Sequence, residues 1–215
     1  MPTSHLYQLN EIVELIVFTD PKSILDVGVG FGKYGFLSRE YLELWDGREE
    51  YNNWKRRIDG IEVFEGYLTP VHDVIYDHIY IGNALDILAT LETNYDLILL
   101  IDILEHLDYR EGIELLKECK KRGKNIIIST PENIGIQRDT FGNPLETHKF
   151  QWKEKHFDKF GNKFFVDNAY SLICYIGDDA PRVRKAIEKS RIRSEIKERF
   201  PFLKIPYRII KRIMQ

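Results

Sequence analysis

The sequence predicts an α/β protein, a three-layer sandwich around a mostly parallel seven-stranded sheet that ends in an antiparallel hairpin. Three observations carry this. Short apolar runs alternate with segments of helical periodicity from residue 24 to residue 128, the pattern of repeated β-α units. One run, Tyr95–Ile101 (YDLILLI), is apolar almost without a break, as a central parallel strand covered on both faces requires. The first run, Ile24–Val27, leads into a turn with Gly28, Gly30 and Gly32 at alternate positions. That turn puts an acid, Asp26, at the carboxyl edge of the sheet, where open α/β sheets bind ligands.

Composition narrows the class further. At 215 residues and 43% hydrophobic, the chain can bury one sizeable core and little beyond it. The net charge of −3 is unevenly spread. Residues 178–215 carry 12 Lys/Arg against 5 Asp/Glu, so this stretch is +7 and the remainder −10. The expected organisation is a body over 1–177 and a basic helical extension over 178–215. An acidic body argues against an active face that collects phosphates, so no nucleic-acid partner is expected. Cys119 and Cys174 are too few and too far apart for a disulfide framework or zinc knuckle. No signal peptide opens the chain, and no apolar run approaches the roughly 20 residues that span a bilayer. The expected location is the cytoplasm.

Taken in order, Thr3 or Ser4 can cap a first helix whose apolar face is Leu6, Leu9, Val13, Ile16 and Val17, ended by Asp20-Pro21. After the glycine turn, Tyr34–Trp45 reads as a crossover helix. The polar connection 46–57 either lines an entrance or is a surface insertion anchored by Tyr51 and Trp54. Ile58–Val63 is the second strand, with Glu62 near its end and Phe64 and Tyr67 following. Val71–Tyr76 is a short helix and Ile79–Ile81 the third strand. Asn83 is a favoured N-cap for Ala84–Leu91, with Asp86 as capping-box partner. The fourth strand delivers Asp102, Glu105 and His106 to the sheet edge, and Asp108 with Glu111 marks the next helix start.

Asn125–Ile128 is the fifth strand. The loop from Ser129 to Trp152 lacks apolar periodicity but holds Gln137, Arg138, Asn143, Glu146 and His148, and a loop this long in a compact domain is usually functional or mobile. Lys153–Phe160 reads as a short helix, Phe164–Val166 and Ser171–Ile176 as the hairpin, and 181–199 as a charged helix. A last turn sets Ile209, Ile210, Ile213 and Met214 against Arg208, Lys211 and Arg212, a small basic amphipathic helix. It could rest peripherally on an anionic inner membrane face, dock on a partner or dimer mate, or pack on its own domain. The oligomeric state is not readable.

The arrangement of strand, Asp26-x-Gly28-x-Gly30-x-Gly32 and helix resembles the first motif of class I S-adenosylmethionine-dependent methyltransferases. Asp102-x-x-Glu105-His106-Leu107 resembles the fourth motif of their small-molecule and sugar-modifying members, and the likeness spans roughly residues 5–177. It implies a Rossmann-like fold and S-adenosyl-L-methionine as cofactor, bound by Asp26, Gly28, Gly30, Gly32, Glu62, Phe64, Asn83, Ala84 and Asp102. In that family the acid closing the second strand, here Glu62, holds both ribose hydroxyls. Asn83 and Ala84 would meet the adenine edge, Phe64 or Tyr67 its face, and Asp102 the methionine end. Glu105, His106 and His148 would lie near the methyl group as catalytic candidates. Glu146-x-His148-x-x-x-Trp152 resembles a subset of these enzymes, with Glu146, Trp152 and Arg138 as substrate contacts.

The implied reaction moves a methyl group to oxygen or nitrogen of a small polar acceptor, such as a sugar, a surface-glycan intermediate or a secondary metabolite. Glu146 and His148 alone make two ligands, so no metal is expected. Two rivals stay open. Gly30-x-Gly32-x-x-Gly35 also fits a dinucleotide fingerprint, implying an NAD(P)-dependent oxidoreductase. That fit starts late after the strand, and a pyrophosphate there would be repelled by Asp26 by on the order of 1 kcal/mol or more. The other rival is a non-catalytic regulatory subunit that binds the same cofactor.

Overall fold

The computed structural model describes residues 4–44, 53–138, 140 and 142–199. A short 3-10 turn at Leu6–Gln8 leads into α1 (Leu9–Thr19), followed by β1 (Ser23–Val27), α2 (Lys33–Glu43) and β2 (Arg57–Glu62). Then come α3 (Pro70–Ile75), β3 (His78–Ile81), α4 (Ala84–Thr90), β4 (Tyr95–Ile101) and α5 (Tyr109–Arg122). The chain continues through β5 (Gly123–Pro131), β6 (Lys163–Val166), β7 (Ser171–Gly177) and α6 (Ala180–Arg199). The seven strands form one sheet in the order β3-β2-β1-β4-β5-β7-β6. The first five are parallel, and β7 runs antiparallel to both β5 and β6. The strand order reverses between β1 and β4, which opens a crevice beyond their carboxyl ends.

The unbroken apolar run of β4 has a direct cause. Leu97, Leu99 and Ile101 face a core shared with α1 and α2, while Ile98 and Leu100 face the opposite core shared with α4 and α5. Each such side chain contributes roughly 2 kcal/mol by leaving water, so neither face of the strand tolerates a polar residue. Two caps read from sequence form, whereas Ser4 bonds Tyr34 Oη and His5 caps the first turn instead. Asp108 Oδ1 accepts from the Arg110 and Glu111 N–H groups, and Glu111 Oε2 accepts from the Asp108 N–H. Asn83 Oδ1 accepts from the Leu85 N–H at 2.8 Å. Asp86 sits in that first turn but does not close a box with Asn83.

Three boundaries differ from expectation. Ser129-Thr130-Pro131, read as loop, belongs to β5, because β7 pairs with it up to Pro131↔Ser171. The segment after Trp152 is a 3-10 turn, Glu154–Phe157, rather than a helix reaching Phe160. The charge change at residue 178 is not matched by a change in packing. Ala180, Val183 and Ile187 are buried in the core with α1, and Ser190 Oγ donates to Glu14. Trp54 lies against the Arg39 guanidinium at 5.1 Å, as an anchor would. Tyr51, Trp45, Thr3 and the basic helix read over 208–214 lie outside the described residues. Among the described residues no helix is long and apolar enough to cross a membrane.

Candidate active site

The crevice is floored by the turn after β1. Gly28, Gly30 and Gly32 all hold positive φ, at 76°, 51° and 85°, a conformation that costs glycine little and other residues much. Gly28 is also fixed by packing, since a Cβ there would lie 2.1 Å from Ile103 Cδ1. Four N–H groups of this turn are already engaged. Those of Gly28 and Val29 donate to Ile61 O, that of Gly30 to Glu62 Oε2, and that of Gly32 to Val29 O. A pyrophosphate would need those donors free. Gly35, the last glycine of the dinucleotide pattern, is needed for helix packing instead: a Cβ there would sit 2.4 Å from the Tyr76 ring.

Four carboxylates and one ammonium line the cavity: Asp26, Glu62, Asp102 and Glu146 against Lys33. Asp26, 3% exposed, accepts from the Tyr76 hydroxyl at 2.7 Å. Its burial outweighs that bond and, with repulsion from Glu62, pushes its pKa up to about 7. Glu62 accepts from the Phe64 N–H at 2.9 Å and the Gly30 N–H at 3.0 Å, and burial raises its pKa as well. Asp102, itself at positive φ, accepts from Ser129 Oγ at 2.8 Å and Gln8 Nε2 at 2.6 Å; burial again raises its pKa. Lys33 donates to Ser4 O at 2.7 Å, and burial lowers its pKa. Such a cavity favours a cation and opposes a polyphosphate.

The roof comes from the long loop. Tyr67 Oη donates to Glu146 at 2.9 Å and accepts from Asn143 Nδ2 at 3.2 Å, joining the β2–α3 connection to the short turn Pro144–Glu146. Glu105 O accepts from the Lys149 and Phe150 N–H groups and pins the loop's end. Beneath it, Glu105 is 1% exposed, and its Oε2 has no hydrogen-bond partner. Burial pushes its carboxyl well above the usual carboxylate range and lowers the pKa of His106. His106 lines the cavity, and its ring centroid lies 5.0 Å from that of His148. His106 Nδ1 meets Thr147 O at 3.3 Å, and His148 Nδ1 meets Ile134 O. A carbonyl only accepts, so both imidazoles carry a proton on Nδ1, which in a neutral ring leaves the lone pair on Nε2.

Thus Asp26, Gly28, Gly30, Glu62, Asp102, His106 and Glu146 converge on one cavity, with Glu105 and His148 adjoining it. Gly32 caps α2 at its edge. Other sequence candidates lie elsewhere. Phe64 packs edge-on against Tyr67 at 4.8 Å, while Val63 and Ile103 supply the apolar lining. Asn83 is an exposed helix cap, and neither it nor Ala84 lines the cavity. Arg138 is exposed. Trp152 is 1% exposed, donates from Nε1 to Leu104 O at 2.8 Å, and fills the space over Gly112. It supports the turn bearing Glu105 and His106 from behind and does not reach a ligand. Sequence reasoning singled out Asn143 in the long loop but missed Ser4, Lys33, Tyr34, Val63 and Ile103 among the lining residues.

No family model matches the chain, and no curated protein does. Solved structures do. A SAM-dependent methyltransferase from Archaeoglobus fulgidus superposes with TM-score 0.57 at 14% identity, covering 80% of this chain and 91% of that one. The N-terminal domain of EvdMO1, solved with S-adenosylhomocysteine and D-fucose, gives 0.55 at 16% identity over 81% and 84%. An O-methyltransferase family protein from Burkholderia thailandensis gives 0.55 at 14% identity, covering 79% of this chain and 56% of that protein. This chain therefore spans little more than half the length of the Burkholderia protein. At these identities the likeness is one of fold, and the fold is that of the class I S-adenosylmethionine-dependent methyltransferases.

Proposed function

We propose that the protein is an S-adenosylmethionine-dependent methyltransferase that acts on an oxygen or nitrogen of a small polar acceptor. The observation that carries this reading is the acid-lined cavity at the sheet's switch point, with the N–H groups of Gly28, Val29, Gly30 and Gly32 already engaged. It suits a ligand bearing a sulfonium and an ammonium, and it opposes the dinucleotide alternative. When bound, S-adenosyl-L-methionine supplies an electrophilic methyl group. The chain's own residues supply the rest.

Glu62 is placed to take ribose hydroxyls, since a carboxylate that already accepts two N–H bonds keeps lone pairs for two O–H donors. Asp102 and Asp26 offer negative charge to the amino-acid ammonium and the sulfonium. Lys33 is the lining cation that can pair with a carboxylate. Tyr67, Asn143 and Glu146 form a polar wall for the acceptor. Holding acceptor and donor aligned supplies as much as ~7–11 kcal/mol. A hydroxyl acceptor must also lose a proton, and the Nε2 lone pairs of His106 and His148 adjoin the place where that occurs. The EvdMO1 structure names D-fucose, and a neocarzinostatin-pathway methyltransferase structure names 1,4-dihydroxy-2-naphthoic acid. Both are hydroxylated small molecules, which supports an acceptor of that class here.

The test is calorimetric titration with S-adenosylhomocysteine and, separately, NADH. Micromolar binding of the first, lost in Glu62→Ala, is the expected result. Saturable binding of NADH alone would overturn the reading.

A further inference from the structure

Folding brings together three side chains that the sequence keeps in two places. Glu105 and His106 sit in the turn after β4, and His148 comes from the long loop. One ligand atom from each lies within 4.8 Å of the others. From this geometry we infer that Glu105, His106 and His148 form a binding site for one divalent first-row transition-metal ion at the acceptor end of the cavity.

Two independent observations support a cation there. The first is the state of Glu105. A carboxyl oxygen that is buried without a hydrogen-bond partner is costly in either protonation state, and native structures explain such atoms by a missing water or ion. Glu105 Oε2 is such an atom, in a side chain only 1% exposed. The second is the orientation of both histidines. Each Nδ1–H faces a backbone carbonyl, Thr147 O for His106 and Ile134 O for His148. That is the arrangement by which proteins fix the tautomer of a metal-ligating imidazole and leave Nε2 as the donor atom. Among the described residues neither Nε2 makes a hydrogen bond that would compete.

The donor set selects the ion. Two imidazole nitrogens and one carboxylate favour Zn²⁺, Mn²⁺, Fe²⁺ or Co²⁺ over Mg²⁺ or Ca²⁺, which prefer oxygen alone. Ligands around a shared ion at about 2.1 Å lie roughly 3–3.5 Å apart, so the three side chains must close by about an ångström. Three protein ligands leave positions open for an acceptor oxygen, or for two adjacent ones. The open side faces the cavity through His106. An acceptor hydroxyl held there is acidified and loses its proton to water. Its oxygen bonds the methyl carbon as the carbon–sulfur bond breaks and the electron pair stays on sulfur. With the ion bound, the imidazoles are ligands rather than bases, and the favoured acceptors carry neighbouring oxygens. This catalytic role rests on the methyl-transfer reading; the metal site itself does not.

The test uses the full chain, stripped with chelator and titrated with Co²⁺ while the visible d–d absorption is followed, then with competing Zn²⁺. His148→Ala and Glu105→Gln are titrated in parallel, and S-adenosylhomocysteine binding is measured for all three proteins. The expected result is one equivalent bound at micromolar or tighter affinity, weakened about tenfold or more in each variant. Homocysteine-ligand affinity should stay within about twofold, which also reports that the variants fold. Absence of a saturable single equivalent in the unaltered chain would overturn the site whatever the variants do. So would an affinity in both variants equal to that of the unaltered chain. Metal binding without homocysteine-ligand binding would keep the site and remove the methyltransferase reading.

Discussion

The two halves of the cavity are built differently. On one side Asp26 and Glu62 are held by the sheet ladder at the ends of β1 and β2, and Asp102 follows β4 with its N–H bonded to Ser129 O. On the other side Asn143, Glu146 and His148 belong to a loop that is held by a few bonds. Among those bonds are Tyr67 to Glu146, Asn143 to Tyr67, Gln137 to Glu146 O, and the Glu105 carbonyl to the Lys149 and Phe150 N–H groups. A ligand part that never varies suits the rigid half, and an acceptor that must enter and leave suits the loop. Substitutions in the rigid half should therefore trade stability against affinity, whereas loop substitutions should alter turnover alone.

The largest expected effect is at the junction of the halves. Trp152→Ala removes a buried indole and the bond to Leu104 O, and should cost about 3–5 kcal/mol in urea unfolding. A cost below 1 kcal/mol would mean that the loop end is not packed as described. Next is the pH dependence of the unliganded protein. Asp26 keeps its proton in the native state up to about pH 7, while the unfolded chain releases it near the ordinary aspartate value of 3.8. The native state then binds more protons across that window, so stability is full below it and falls as pH rises from about 4 to 7, by as much as about 4 kcal/mol. Glu62 and Asp102 shift the same way. Asp26→Asn should flatten part of that slope and stabilise the unliganded protein at pH 8 while weakening cofactor binding. An unchanged slope would show that Asp26 is not the group responsible.

His148→Ala sharpens the contrast from the loop side. Turnover should fall about 100-fold or more, with S-adenosylhomocysteine affinity kept. An unchanged rate would remove the Glu105–His106–His148 cluster from the chemistry. The smallest effect is at Asn83. As a helix cap it is worth about 1 kcal/mol, so Asn83→Ala should lower stability by that much and leave cofactor affinity alone. A tenfold affinity loss would instead place Asn83 against the adenine.

The contrast between the halves also decides what could be read from sequence. Asp26, Glu62 and Asp102 were legible because each closes an apolar run, and a run buried on both faces fixes where its last residue emerges. The capping box at Asp108 and Glu111 was legible for an equally local reason. Trp152 was misread because an aromatic in a polar loop can face either a ligand or the core, and only the glycine at 112 reveals which. β5 was drawn too short because Ser129 and Thr130 carry no apolar signal; their strand geometry comes from pairing with β7, more than 40 residues on. Gln8 and Tyr76, which bond Asp102 and Asp26, carry no pattern at all. Glu105, His106 and His148 were legible as neighbours of the methyl group through the resemblance, but the close approach of their ligand atoms was not, since His148 meets Glu105 only through the fold.

The acid-lined cavity can be probed most directly by titrating the protein with S-adenosylmethionine at pH 6 and pH 8. With Asp26 titrating near 7, its ionised fraction rises about tenfold over that interval. Micromolar binding that tightens by a similar factor from pH 6 to pH 8 is the expected result. Tight binding with no pH dependence would remove Asp26 from the site, and absence of binding at both values would contradict the assignment of the cavity to a cationic methyl donor.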